Sequence, residues 1–280
     1  MTSAGKRRVA LVVNPSRRRA ESLAETARAW WERAGFEVII DRVGGALTST
    51  VTEPLDFAIS LGGDGTMLRA VQATVGRFVP LLGVNLGSLG YLTQAEPETA
   101  EAAFARLVAG DFTIERRMAL QASTHPKSGA GRRFSALNEV TVERTAPGRT
   151  LRLSVHIDGE PFLTYAADGL LVATPTGSTA YNLSARGPVL SPSLRALVLT
   201  AISPHLLFDR SLVLADDEVV TVGALDPGGA AVVADGEVVA DLAEGESVEI
   251  RAAPDDVPFV SFGGRHFHGV LRAKFSVADR

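Results

Sequence analysis

The chain has 280 residues, 46% hydrophobic and 21% charged, with 27 Gly, no Cys and a formal net charge of -4. These figures exclude disordered and fibrous classes, disulfides and thiolate zinc sites, and they argue against a nucleic-acid-binding domain, which carries a basic excess. No run approaches the roughly 18 apolar residues of a membrane span, and Val9 to Val13 after Lys6-Arg7-Arg8 is too short for a signal-peptide core, so a cytoplasmic protein is the expectation.

Val9 to Val13 reads as a buried strand. From about Ser22 to Ala34 a helix places Leu23, Ala27, Trp30, Trp31 and Ala34 on one face; Ser22 and Glu25 are spaced for a capping box, and Gly35 stands where a C-cap belongs. A second strand, Phe36 to Ile40, is followed by a polar Gly/Thr/Ser connection, a third strand at Asp56 to Leu61, a short helix from about Gly65 and a fourth strand at Val79 to Val84. Pro97 and Gly110 bracket a further helix. This alternation predicts a parallel sheet with helices on its faces.

Past about residue 112 the period becomes two. Leu151, Leu153, Val155 and Ile157 alternate with polar residues up to an Asp158-Gly159 turn and a strand from Pro161 to Tyr165, and Val232 to Val239 repeats the design around Asp235-Gly236. Segments near Lys127 to Arg132 and Pro227 to Gly229 read as hairpin tips. The expected division is an α/β domain over 1–115 and a β-rich domain over 116–265, with about 266–280 free to pack back on the first.

Leu61-Gly62-Gly63-Asp64-Gly65-Thr66 follows a strand and opens a helix, so it lies at the carboxyl edge of the sheet, where open α/β sheets bind ligands. Glycines let the backbone approach a phosphate, and the helix N-terminus adds a dipole that favours an anion. An aspartate in that turn repels phosphate unless it binds Mg²⁺ or faces a hydroxyl whose proton it accepts. The plain structural alternative is that Asp64 caps the helix. Gly83 to Leu92 is a second glycine-bearing loop after a strand, and two such loops at successive strand ends converge on a crevice of nucleotide size.

Asp168 to Ser184 is the densest signal, a buried strand running into a hydroxyl-rich turn and a short helix from about Gly177. Thr176, Thr179 and Ser184 suit ribose or phosphate oxygens, and Tyr181 offers a ring to a base or nicotinamide; the alternative is that the hydroxyls cap the helix and Tyr181 packs. Asn138-Glu139 suits a ribose diol or an amide, and a partly exposed strand pair explains it as well. His266 and His268 would share one face of a strand and there could touch a metal; two histidines without a nearby third ligand are more often structural.

Gly62-Gly63-Asp64-Gly65-Thr66, Asn138-Glu139 and Thr174-Pro175-Thr176-Gly177-Ser178-Thr179-Ala180-Tyr181, in this order, resemble the NAD kinase family. The Gly-Gly-Asp-Gly turn alone is shared with diacylglycerol, sphingosine and phosphofructokinase-type kinases; the hydroxyl-rich run is the selective element. The resemblance implies a Rossmann-like parallel sheet followed by a β-rich antiparallel sandwich, with a substrate site between the domains. It also implies transfer of the γ-phosphoryl group of ATP, in some members of inorganic polyphosphate, to the 2′-hydroxyl of the adenosine ribose of NAD, giving NADP. The implied cofactor is a divalent metal, Mg²⁺, carried by the ATP phosphates with no protein ligand assigned. The implied assembly is a homodimer or homotetramer, with no nucleic-acid or membrane partner.

By the same resemblance Asp64 orients and deprotonates the hydroxyl beside Gly62, Gly63 and Gly65. Asn138, Glu139 and Asp168 hold the ribose and nicotinamide end, and Thr179, Ala180, Tyr181 and Ser184 line the adenine and nicotinamide surroundings. Arg69 and Arg149 match positions that often contact the nucleotide. The chain departs from the family in having Ala166-Ala167 before Asp168 where Arg-Gly is common. Alternatives are a lipid or sugar kinase sharing the turn, or a non-catalytic dinucleotide sensor. Only three of the 28 basic residues are lysines, Lys6, Lys127 and Lys274, so no Gly-Lys-Ser/Thr phosphate loop exists.

Overall fold

A computed structural model describes residues 6–16, 18–42, 54–87, 90–145, 150–205, 208–264 and 266–275. The chain divides into two compact units, Met1–Arg116 with Val257–Arg280, and Arg117–Asp256.

The sheet of the first unit has six strands in the order Glu37–Asp41, Arg8–Val13, Phe57–Gly62, Leu81–Asn85, Val257–Ser261 and Thr113–Arg117, of which the first five run parallel. Val9 to Val13, Phe57 to Gly62 and Leu81 to Asn85 are buried throughout, which is why these strands read as continuous apolar runs and not as alternations. Helix Arg18–Arg33 packs Ala20, Ala24, Ala27 and Trp31 into the core, where the Trp31 ring meets Phe36 edge-on at 4.8 Å. Because this buried stripe begins at Ala20, the helix starts a turn before Ser22. Ser22 and Glu25 therefore lie inside it and form no terminal capping box. Gly35 closes the helix at φ 86°. The polar connection after the second strand lies outside the described residues.

The strand Val257–Ser261 inserts beside Leu81–Asn85, so chain beyond residue 256 belongs to the first unit's sheet, nine residues earlier than the sequence division placed it. After it, Phe267, Val270, Leu271 and Phe275 follow a helical spacing, and Phe267–Phe275 is a helix. The strand face expected for His266 and His268 is therefore not formed.

The second unit holds two antiparallel six-stranded sheets. One is ordered Glu160–Ala167, Leu151–Ile157, Val220–Ala224, Ser247–Ala252, Leu120–His125, Arg133–Ala136, and the other Leu212–Leu214, Leu197–Ile202, Gly169–Ala173, Glu139–Arg144, Ala230–Ala234, Glu237–Leu242. Alternate residues of both contribute to one apolar cluster, among them Leu120, Leu153, Val222 and Ile250 from the first and Val140, Val142, Leu170 and Val232 from the second. A shared core between two sheets is the sandwich arrangement. Asp158-Gly159 (φ 51° and 81°) and Asp235-Gly236 (φ 48° and 84°) make the tight turns whose two central residues both need positive φ. No described helix is long and apolar enough to cross a membrane.

Candidate active site

In the first unit the strand Phe57–Gly62 ends in the glycine turn, and helix Asp64–Thr74 begins at its aspartate. Asp64 does not cap that helix. Its carboxylate instead accepts the backbone N–H of Tyr91 at 2.9 Å on one oxygen and that of Leu92 at 3.0 Å on the other. Gly90 makes this approach possible, since a Cβ there would sit 2.4 Å from the Asp64 Oδ1. The second glycine loop is thus tied to the first through the acidic side chain. Burial and the Asp64 charge push the Tyr91 hydroxyl above its ordinary value, and the Lys274 ammonium lies 4.2 Å from the centre of the Tyr91 ring.

The glycines of the turn differ in what they require. A Cβ on Gly62 would meet the Thr66 hydroxyl at 2.1 Å, so packing alone demands glycine there. At Gly63 and Gly65 nothing beyond the adjoining backbone lies within 4 Å of such a Cβ. Their bare backbone faces open space, as an approaching phosphate needs. Arg69 lies one turn beyond Gly65 on the same exposed helix face.

In the second unit the Asn138-Glu139 turn meets the Thr174 to Tyr181 loop, while Asp168 lies at the other end of the paired strands, beside Arg144, and reaches this group through its charge on Tyr181. The Asn138 carbonyl accepts the Thr174 N–H at 2.8 Å, and a Cβ on Gly177 would lie 2.0 Å from that carbonyl oxygen, so the hydroxyl-rich loop is pressed onto the Asn-Glu turn. Glu139 is buried at 7% exposure, and its Oε2 lacks a hydrogen-bond partner. Burial first, then the neighbouring Asp235 and Glu143 charges, push its carboxyl up to about 8 against a pull downward from the Tyr181 N–H. Glu139 is therefore a neutral acid near pH 7, able to donate as well as accept. Burial and the charges of Glu143, Asp168 and Glu139 likewise raise the Tyr181 hydroxyl, and the residue remains 38% exposed. So acidic a setting favours hydroxyl and amide donors over phosphate.

The hydroxyls of the loop divide by role. Thr174 Oγ1 donates to the Leu137 carbonyl at 2.6 Å and accepts the Gly177 N–H at 3.0 Å, while Ser178 Oγ bridges the Pro175 carbonyl and the Leu190 N–H. Both are consumed by the fold. Thr179 Oγ1 donates to the Thr176 carbonyl at 3.3 Å, whereas the buried Thr176 Oγ1 has no partner. The helix expected from Gly177 is a 3₁₀ turn, Gly177–Thr179, and a single α-turn, Tyr181–Ser184, broken at Ala180. Asn182 turns the chain back by donating to the Ser178 and Pro188 carbonyls and accepting the Thr200 hydroxyl, so little helix dipole accumulates there. Ser184 is exposed at the end of this turn, and Arg149 lies outside the described residues.

Two partners escape a reading of the sequence. Asp235, seen there only as a turn residue, accepts the N–H groups of Leu137, Asn138 and Glu139 at 2.8, 2.7 and 3.3 Å and so fixes the Asn-Glu backbone from almost a hundred residues away. Arg144 places its guanidinium 3.2 Å from the Asp168 carboxylate, and its N–H donates to the Asp168 carbonyl at 3.1 Å. This cross-strand neighbour supplies a basic contact beside Asp168, where Ala166-Ala167 offer none. The Asp-Gly turn signal marked Asp235 as structural, and nothing local pointed to Arg144.

Residues 45–112 match the family model of the ATP-NAD kinase N-terminal domain, and residues 137–262 that of the ATP-NAD kinase C-terminal domain. An NAD kinase of Syntrophotalea carbinolica is 36% identical over 93% of this chain and 95% of its own, and one of Gemmatimonas aurantiaca is 43% identical over 80% and 78%. The crystal structure of an NAD kinase from Archaeoglobus fulgidus in complex with ATP superimposes with a TM-score of 0.74 at 28% identity, covering 95% of this chain and 99% of that one. An α/β unit with an acidic glycine turn, joined to a two-sheet β unit, defines a class of two-domain nucleotide kinases. Within that class the chain is an enzyme of the NAD kinase family, which sets aside the lipid-kinase, sugar-kinase and sensor alternatives.

Proposed function

We propose that this chain transfers the γ-phosphoryl group of ATP to the 2′-hydroxyl of the adenosine ribose of NAD, making NADP. The observation that carries this reading is the Asp64 turn: a carboxylate held by two loop N–H groups at the carboxyl end of a parallel sheet, beside two glycines whose backbone is open. Each carboxylate oxygen has a second lone pair, so Asp64 can still accept a hydroxyl proton and align the attacking oxygen. Phosphoryl transfer needs positioning and charge stabilisation more than covalent chemistry, and backbone N–H groups of the turn with Arg69 supply part of it. Asn138, neutral Glu139 and Asp168 hold the ribose and nicotinamide end, Thr176 and Thr179 offer hydroxyls to it, and Ala180, Tyr181 and Ser184 flank its rings.

Among the described residues no group of three or more His, Asp or Glu stands close enough to cage a metal ion. If Mg²⁺ is carried by the donor phosphates, Asp64 would be the carboxylate of the turn available to it. Such an ion would supply neutralisation of phosphate charge. The enzyme works in the cytoplasm as a homodimer or homotetramer. The test is an NADP-formation assay offering NAD and NADH against Mg²⁺-ATP and polyphosphate; NADP from NAD and ATP is expected, and none over long incubation would overturn the reading.

A further inference from the structure

We propose that the second unit binds a compact polyanion in a concavity on the outward face of its Leu120–His125, Arg133–Ala136 and Ser247–Ala252 strands. These are neighbours in one sheet, whose buried Leu120, Ala122, Val248 and Ile250 turn inward and leave the alternate residues facing out. The register sets Ser123 opposite both Arg133 and Glu249. With His125, Arg132 and Arg251 these residues line an open hollow of about 520 Å³. Glu249 is engaged by the Arg251 guanidinium, so its charge is already answered. Arg132 and Arg133 have no carboxylate partner among the described residues. A chain of net charge -4 thus gathers uncompensated positive charge in one polar hollow.

The backbone that carries the arginine pair is also held in place. A Cβ on Gly131 would sit 2.1 Å from the Thr124 carbonyl oxygen, the Arg132 N–H donates to Thr124 Oγ1 at 2.9 Å, and the Thr124 N–H donates to the Arg132 carbonyl at 2.9 Å. The hairpin is thereby closed directly before the arginine pair. Guanidinium forks match the paired oxygens of phosphate and carboxylate alike. The ligand chemistry is therefore several closely spaced anionic oxygens, in a condensed phosphate or a tricarboxylate. Glu139 and Asp168 belong with strands of the other sheet, and the proposed reaction uses none of the residues of this hollow.

The test titrates the full chain with tripolyphosphate and, in parallel, with citrate by calorimetry, comparing wild type with the Arg132→Ser/Arg133→Ser double variant. The expected result is a binding event that the variant weakens by about tenfold or more, with NADP formation from NAD and ATP unchanged. Tighter binding of tripolyphosphate assigns a phosphate ligand, and tighter binding of citrate a tricarboxylate. An isotherm that the variant leaves unaltered, or no binding of either anion, overturns the proposal, as does a fall in assembly mass showing that this face is a subunit contact. If the variant does not fold, amide exchange of residues 126–135 in the wild type decides: slowing on addition of either anion supports the site, and no slowing overturns it.

Discussion

At Asp64 one side chain has two tasks, because the carboxylate that faces the proposed hydroxyl also accepts the Tyr91 and Leu92 N–H groups. Asp64→Asn keeps the size but loses the basicity and one of the two acceptors. Turnover is expected to fall on the order of 10²–10⁴-fold with NAD affinity nearly kept, measured as kcat against Kd; near-normal turnover would remove Asp64 from catalysis. Glu139 makes a prediction about pH. Its carboxyl is raised from 4.5 to about 8, so the folded state binds a proton that the unfolded state releases above its own lower value. The stability this provides is full below pH 4.5 and is lost as pH rises through about 8. Glu139→Gln, neutral at every pH, is expected to melt progressively higher than wild type between pH 5 and pH 9; parallel melting curves would show that Glu139 is not protonated on folding.

Among the elements, helix Asp64–Thr74 begins with a glycine in its first turn, although alanine would favour the helix by about 1 kcal/mol. Nothing in the fold fills the space at Gly65. Gly65→Ala is therefore expected to raise Tm while lowering kcat/KM for ATP, a trade of activity for stability; unchanged kinetics would show that no ligand approaches this backbone. The elements themselves were largely readable from the sequence. Short apolar runs marked the first four parallel strands but not Val257–Ser261, period-two alternation marked Leu151–Ile157, and Asp-Gly pairs marked two hairpins. Less readable were ends set by tertiary burial. Ala20 drew the first helix a turn earlier, and the Asn182 contacts cut the helix after Gly177 to a single turn.

For the whole molecule the edge strands bear on assembly. The edge strands of the second unit expose apolar side chains, with Val238 at 68% and Leu163 at 37%. Exposed apolar edges invite pairing with another copy. Light scattering is expected to give a multiple of the 29.5 kDa chain mass, and Val238→Lys a smaller one; a wild-type monomer would rule out the proposed oligomer.

The sequence by itself determined the two classes of sheet, the acidic glycine turn, the Asn-Glu pair and the hydroxyl-rich run, because each is a local pattern of periodicity or turn chemistry. It also ruled out a lysine phosphate loop by composition. Only the tertiary structure decided which of those groups are spoken for. Thr174 and Ser178 are spent inside the fold while Thr176 is not, Asp235 clamps the Asn-Glu backbone, Arg144 sits on Asp168, and burial leaves Glu139 neutral. Hydrogen-bond partners and desolvation depend on which distant strands become neighbours, and no local spacing carries that information.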